Sequence, residues 1–307
     1  IEARICAENP DNNFLPATGT LSVYRKPACS SFAISDIRVD DGVREGDSIS
    51  PFYDSMVAKL IVHGSTREQA LARLDQALAQ TRIVGLTTNV QFLRHILKTD
   101  SFATAKLDTA LIQREEKVLF AQEPLGLALT AAAVVAHTLH QEAALQGHDP
   151  FSRRDGWRAY GVATRRFGFV FHGQAQSVLL SYGHDGVAHL SLTEQVGGDA
   201  ASPVAVEISG SMHWRVEGNP SEGEQLAISF AGQQARVQVF MHSEGADDVA
   251  HVFAAHGATR ISVVDALAHA GEVQEAGGRL TAPMPGKVVS FAVKVGDKVK
   301  AGQALAV

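Results

Sequence analysis

Cysteine is almost absent from this chain of 307 residues, which has only Cys6 and Cys29. So few thiols supply neither a disulfide framework nor a zinc-binding pair, and such sparing use fits a reducing compartment, here taken as the cytoplasm. Cationic runs are missing too. Lys and Arg total 27 against 33 Asp and Glu, a net charge of −6, so nothing in the charge pattern attracts a nucleic acid. No uncharged apolar run reaches the roughly 20 residues that span a bilayer. The longest, Leu125 to Leu139, is followed by His140 and Glu142, which argues against a membrane anchor. There is no Gly-x-x-x-x-Gly-Lys-Ser/Thr phosphate loop, no Gly-x-Gly-x-x-Gly turn and no Gly-x-Ser-x-Gly elbow, so the common nucleotide and hydrolase motifs drop out. The chain starts at Ile1 without an initiator Met, an n-region, an h-region or a cleavage site. That is expected of a piece of a longer protein.

What is present is ordinary globular composition, 45% apolar and 20% charged, at a length that suits two or three domains. Three regions differ in hydrophobic period. Residues 1–115 mix a strand-like run, Ser55–Val62, with helical spacing, an α+β pattern. Ser65-Thr66-Arg67-Glu68 reads as a capping box, followed by Leu71, Leu74, Ala77 and Leu78 on one helical face. A second helix is expected after Asn89, burying Val90, Leu93, Ile96 and Leu97.

The second region, 116–272, opens on Pro124, a residue suited to a first helical position, and predicts a helix over 124–145. That helix is apolar nearly all round, which requires an enclosure. Nine short β-rich runs supply one over 156–265, among them Arg166–His172, Val204–Ile208 and Met212–Val216, separated by turn signals such as Gly183-His184-Asp185-Gly186. An antiparallel β-barrel around a central helix is the expected fold. A linker at 272–278 leads into 273–307, where Ala282–Val289 and Val295-Gly296-Asp297-Lys298-Val299 alternate at strand period. Among other chemistry-bearing residues, His137 and His140 lack a partner set for a metal and are expected to hydrogen-bond in the barrel core or at its mouth. Trp157 and Trp214 are expected to pack cores.

Ala282-Pro283-Met284-Pro285-Gly286 and Val295-Gly296-Asp297 resemble the first half of a biotinyl/lipoyl carrier domain, a flattened hammerhead sandwich. In that family the modified Lys follows a Gly-Gln-x-Leu-x-Val stretch. Here that stretch is Gly302–Val307, so the biotinyl Lys would lie beyond Val307, and none of Lys287, Lys294, Lys298 or Lys300 sits in its context. Ala3-Arg4-Ile5-Cys6-Ala7-Glu8-Asn9-Pro10, Phe52-Tyr53-Asp54-Ser55-Met56-Val57-Ala58-Lys59-Leu60-Ile61 and Thr87-Thr88-Asn89 resemble the C-terminal subdomain of biotin carboxylase, whose ATP-grasp parts would precede Ile1. Taken in order, the regions resemble the α-subunit of a biotin-dependent acyl-CoA carboxylase. Asp40–Asp47, Ile83–Leu86 and Asp155–Arg158 look most like the 3-methylcrotonyl-CoA branch, which serves leucine degradation. Propionyl-, acetyl- and geranyl-CoA carboxylases are the close alternatives, and a non-catalytic lipoyl-type carrier or scaffold is the alternative from another class.

The resemblance implies a ligase. It would carboxylate covalently held biotin with ATP, Mg (or Mn) and bicarbonate, then pass the carboxyl group to a carboxyltransferase β-subunit docked on 116–272. Acyl-CoA would be met only through that β-subunit. The family places an enolate-stabilising Arg in the strand before its Pro-x-Tyr-Asp segment, and counting back without a gap gives Arg38. A guanidinium suits that role because it stays protonated and offers a planar fork of donors. Arg44 is the second choice, and a surface Arg38 paired to Asp36 or Asp40 is the plain alternative. Tyr53 and Asp54 are candidates to line the biotin pocket, with orientation of the strand as their other reading. Glu8 is a further wall candidate, and Lys59 is expected to pair with a carboxylate or lie along a sheet edge.

Overall fold

The computed structural model describes residues 1–50, 52, 54–120, 125–153, 156–183, 185–196, 204–218, 223–244, 247–255, 257–265, 290–294, 296–299, 303, 305 and 306. Alternation at period two builds the first sheet, in which β1 (Glu2–Cys6), β2 (Ile37–Asp41) and β3 (Met56–Val62) pair antiparallel in the order β1-β3-β2. Register sorts the side chains by face. Lys59 lies between Arg4 and Asp40, and Ile61 between Glu2 and Arg38, so one face is charged. The other face presents Ala3, Ile5, Val39, Ala58 and Leu60, which share a core with Ala70, Leu74, Ala77 and Leu78 of α1 (Arg67–Gln80).

The cap of α1 sits one residue later than Ser65. The Thr66 hydroxyl accepts from Gln69 N–H at 3.2 Å, while Gln69 Oε1 accepts from the backbone and hydroxyl of Ser65 at 2.7 and 2.8 Å. The cap is therefore Thr66 bonding Gln69 N–H, with the Gln69 side chain reaching back to Ser65 rather than to the Thr66 N–H of a strict capping box. Two overlapping pairs satisfy the same three-residue spacing, and spacing cannot rank them. Helix α2 (Val90–Lys98) holds its predicted stripe half-buried, and its deepest side chains are Phe92, Arg94 and His95. It packs on two sides, Leu93 and Leu97 toward the sheet core and Phe92 and Ile96 toward Leu111 and Leu119.

The second unit is a closed eight-stranded barrel: β4 (Ala163–Phe171), β5 (Gln174–Tyr182), β6 (Ala188–Val196), β7 (Val204–Glu217), β8 (Gln225–Phe230), β9 (Gln233–Glu244), β10 (Asp247–Ala254) and β11 (Gly257–Val264). Neighbours in sequence pair antiparallel, and β4 closes on β11 through Phe169↔Val263. Two of the nine expected runs are one strand here. Gly210 pairs with Leu190 in extended backbone, so Val204–Ile208 and Met212–Val216 merge into β7.

Helix α3 (Leu127–Ala144) fills the barrel. An eight-stranded barrel has an interior about wide enough for side chains alone, so the enclosed helix has to be thin. Ala131, Ala132, Ala133 and Ala136 make it so, leaving room for Phe169, Leu180, Leu190, Met212 and Phe230. The helix begins after Gly126, whose carbonyl takes the first helical bond from Thr130 N–H at 3.0 Å, and ends at Ala144. The expected span 124–145 is thus too long at both ends, and Pro124 itself lies outside the described residues.

Trp214 is half-buried against the barrel core, as expected, but Trp157 is 78% exposed. Trp157 lies in the segment between α3 and the first barrel strand, which starts only at Ala163. Of the third region, Phe291 and Ala306 form an antiparallel bridge, with Ala292 N–H bonded to Leu305 O at 2.9 Å. The linker 272–278 and the Ala282–Val289 motif lie outside the described residues. Among the described residues no helix is long and apolar enough to cross a membrane.

Candidate active site on the charged face of the first sheet

Strand β2 is the edge of its sheet, and two adjacent carboxylates point to opposite sides of it. On the inner side Asp41 Oδ2 accepts from Tyr24 OH at 3.0 Å and from Lys26 Nζ at 2.7 Å. Burial first, and Asp41 second, push the Tyr24 phenol up, so it stays a protonated donor. On the outer side Asp40 Oδ2 lies 2.7 Å from Arg38 Nη2, and Asp40 Oδ1 accepts Phe32 N–H at 2.8 Å. Partial burial works against the Asp40 carboxylate, but the Phe32 N–H and Arg38 outweigh it and hold the group below the usual carboxylate range.

Arg38 is therefore paired to Asp40, the contact of the plain alternative, while Asp36 is engaged by Arg73 at 3.2 Å. The pairing does not use all of the guanidinium. Arg38 Nε is buried with no hydrogen-bond partner among the described residues. A buried orphan donor is rare in a folded protein and marks a place where an acceptor is wanted. Arg44 is exposed in a turn closed by its N–H to Asp47 Oδ2 at 2.8 Å, and has no comparable setting.

The other sequence-derived candidates divide. Tyr53 lies outside the described residues. Asp54 is exposed, and its Oδ1 accepts Met56 N–H at 3.0 Å, which starts β3. Glu8 Oε1 accepts the Ser55 hydroxyl at 2.8 Å. Beside it the Cys6 thiol is pushed up to about 11, by burial first and then by Glu8 and Asp54, so it is not a nucleophile at neutral pH. Lys59 meets Glu2 at 3.7 Å on the central strand β3, not at a sheet edge. At the barrel mouth His140 Nε2 is 3.2 Å from Glu224 Oε2, and among the described residues no cluster of three or more His, Cys, Asp and Glu is arranged to hold a metal.

A cavity of about 540 Å³ also opens between the first unit and the barrel, lined in part by Arg82, Gln91, His95, His251 and Phe253. Two of its cations bridge the units, Arg82 to Gln238 and Arg94 to the Ala255 carbonyl, while Arg94 also pairs with Asp75 inside the first unit. Its His251 Nε2, like Arg38 Nε on the charged sheet face, is buried without a hydrogen-bond partner among the described residues. Sequence reasoning offered Asp40 as a partner of Arg38 but missed that the Phe32 turn shares that carboxylate.

Residues 2–114 match the family of the biotin carboxylase C-terminal domain. Residues 126–266 match the BT domain of the methylcrotonyl-CoA carboxylase alpha-subunit, and 278–307 match a domain of biotin-requiring enzymes. The chain thus carries, in order, regions that match a biotin carboxylase C-terminal domain, a BT domain and a domain of biotin-requiring enzymes. It is similar to methylcrotonoyl-CoA carboxylase alpha subunits along its whole length. It is 30% identical over 324 residues to the mitochondrial protein of Dictyostelium discoideum, covering 98% of this chain and 42% of that one. It is 31% identical over 322 residues to that of Mus musculus, covering 100% and 41%. The mitochondrial propionyl-CoA carboxylase alpha chain of Mus musculus is 27% identical over 322 residues, at 100% and 41%. The chain spans about two fifths of the length of these relatives.

Proposed function

We propose that the chain is the C-terminal part of a biotin-dependent acyl-CoA carboxylase α-subunit, of the 3-methylcrotonyl-CoA branch, with Arg38 in its carboxylase site. The observation that carries this is the Arg38 guanidinium, held at one end by Asp40 and left with a buried, unpartnered Nε. Biotin, when bound, supplies a ureido nitrogen that takes up the carboxyl group, while its ureido oxygen gains negative charge. Arg38 would donate to that oxygen from a fixed position, so the charge meets a donor that needs little reorganisation. Asp54 and the adjacent Tyr53 would border the pocket. ATP and Mg (or Mn) would be held mainly by the part of the relatives that this chain does not cover.

The barrel region 116–272 is the proposed dock for a carboxyltransferase β-subunit, making the assembly a hetero-oligomer. Its support is the segment between α3 and β4, which exposes Leu145, Phe151, Trp157 and Tyr160. Large aromatic side chains kept on a surface are typical of an interface. The third region would start the carrier that moves between the two sites, where tethering makes the second encounter effectively intramolecular. The 27% identical propionyl-CoA relative keeps that substrate as the second reading. Both cysteines are free thiols, which supports a reducing compartment such as the cytoplasm.

The test is Arg38→Ala in the full-length protein. Biotin- and bicarbonate-dependent ATP turnover should fall by roughly a hundredfold, the scale of losing one transition-state donor. Unchanged turnover would remove the assignment.

A further inference from the structure

Asp40 spends both of its oxygens at once, one on Arg38 Nη2 at 2.7 Å and the other on Phe32 N–H at 2.8 Å. What it holds is unusual at each end. Phe32 has φ +52, a left-handed backbone that a bulky residue seldom adopts, and its ring is 75% exposed. Strain of that kind persists only where neighbours impose it, and it gathers at functional sites. The neighbours here are the strand that carries Arg38. Ser30 N–H bonds Ile37 O at 3.1 Å, Val39 N–H bonds Ser30 O at 2.9 Å, and the Ser31 hydroxyl bonds Val39 O at 2.8 Å. Residues 30–32 are thus laid along both sides of Arg38, and Asp40 ties the end of that segment to the guanidinium.

We infer that Asp40 is a positioning residue for the carboxylation step. It fixes the direction of the Arg38 fork and couples it to the Phe32 turn. Arg38 and Asp40 are two apart on one strand and share its outer face, so the carboxylate meets only one end of the fork. The donors that Asp40 does not take are left for an anionic oxygen, and the side chain that carries them is partly exposed. A long arginine without this tether would spread over rotamers and present its donors in the right place only part of the time. Lys59, opposite Asp40 in the register, adds a second positive charge beside the carboxylate.

This inference rests on the reading of Arg38, and the experiment separates the two. In the full-length holoenzyme, biotin- and bicarbonate-dependent ATP turnover is measured for Asp40→Asn, Asp40→Ala, Asp40→Glu, Arg38→Ala and the Arg38→Ala/Asp40→Asn pair. Asp40→Asn and Asp40→Ala should lower kcat on the order of tenfold with KM for ATP unchanged, and Asp40→Glu should recover part of the loss. Adding Asp40→Asn to Arg38→Ala should cost nothing further, because the group being positioned has gone. Full kcat in both Asp40→Asn and Asp40→Ala would overturn the inference, as would the same fold loss with and without Arg38. If Arg38→Ala alone keeps wild-type turnover, the Arg38 assignment fails, whatever the Asp40 variants do. A thermal midpoint for each variant identifies a loss that comes from unfolding, and a loss of that origin in Asp40→Asn also counts against a positioning role.

Discussion

Arg82 Nε donates to Gln238 Oε1 at 3.0 Å, a side-chain bond between residues 156 apart in sequence that ties the first unit to strand β9 of the barrel. The same guanidinium lies over the Phe253 ring at 5.1 Å from its centroid, and another of its donors returns to the Ala79 carbonyl. Burial first, and Arg94 second, push Arg82 down to about 10, so it is still charged at neutral pH. Arg82→Ala should therefore cost about 2–3 kcal/mol, the scale of a charged hydrogen bond and a desolvated cation–π contact together. Each unit keeps its own core, so calorimetry of the variant should show a broadened or split transition. A single transition at the wild-type midpoint would mean that the joint carries no stability.

Two glycines meet where the chain crosses between Gly19 and the end of the short strand Arg82–Val84. Gly85 has φ +105, and a Cβ there would sit 1.9 Å from the Thr20 carbonyl oxygen. Both the dihedral and the space exclude a side chain. Gly85→Ala should cost about 3 kcal/mol or more, because backbone strain and a backbone clash add. Gly42 has open space and no such dihedral, so Gly42→Ala should stay within about 0.5 kcal/mol. Urea midpoints of the two variants measured side by side test the contrast.

Acid should weaken the fold before the carboxylates titrate. His251 on β10 is pushed from 6.5 down to about 4, by burial first and then by Arg260 and His242. Its Nε2 is buried without a hydrogen-bond partner among the described residues, with Glu244 Oε1 at 3.9 Å. The folded chain keeps this ring neutral where the unfolded chain protonates it. Stability is thus complete above 6.5 and is lost as the pH falls from there toward 4. At about 1.4 kcal/mol per pH unit this window is worth about 3 kcal/mol. His137, also lowered chiefly by burial, acts in the same direction. His251→Gln should flatten most of the loss between neutral pH and about pH 5. An equally steep loss in the variant would place its origin elsewhere.

The helix inside the barrel was legible in the sequence because α3 has no polar face to give to water, and the β-rich runs after it were the only possible cover. Strand count was not legible at Ser209-Gly210-Ser211. These small residues divided the sequence pattern into two runs, yet cross-strand pairing with β6 holds Gly210 extended. Caps failed for a similar reason, since Ser65 and Thr66 both satisfy the local rule. Arg38 was reached only by counting within a family resemblance. Its grip by Asp40 was visible as one of two possible ion pairs, and the Phe32 turn was not visible at all. The joint made by Arg82 and Gln238 depends on where two units dock, which no local window contains.

Asn89 shows how a residue can defy its local preference. It is the N-cap of α2, the position where an Asn side chain ordinarily bonds its own helix, yet it makes no such bond. Its Oδ1 instead accepts Cys6 N–H at 2.9 Å and its Nδ2 donates to the Arg4 carbonyl at 3.1 Å, both on β1, while its own N–H bonds Cys6 O at 3.1 Å. The side chain completes the end of the sheet and sets where α2 departs from it. By capping preference Asn89→Asp should be neutral or helpful. By this geometry it loses the donor and turns an acid oxygen toward the Arg4 carbonyl in a buried place. The expected cost is about 2 kcal/mol or more, and Asn89→Ala should cost a similar amount through two lost backbone bonds. Chemical denaturation of both variants decides between the two roles, because a capping role predicts that Asp is tolerated and Ala is not.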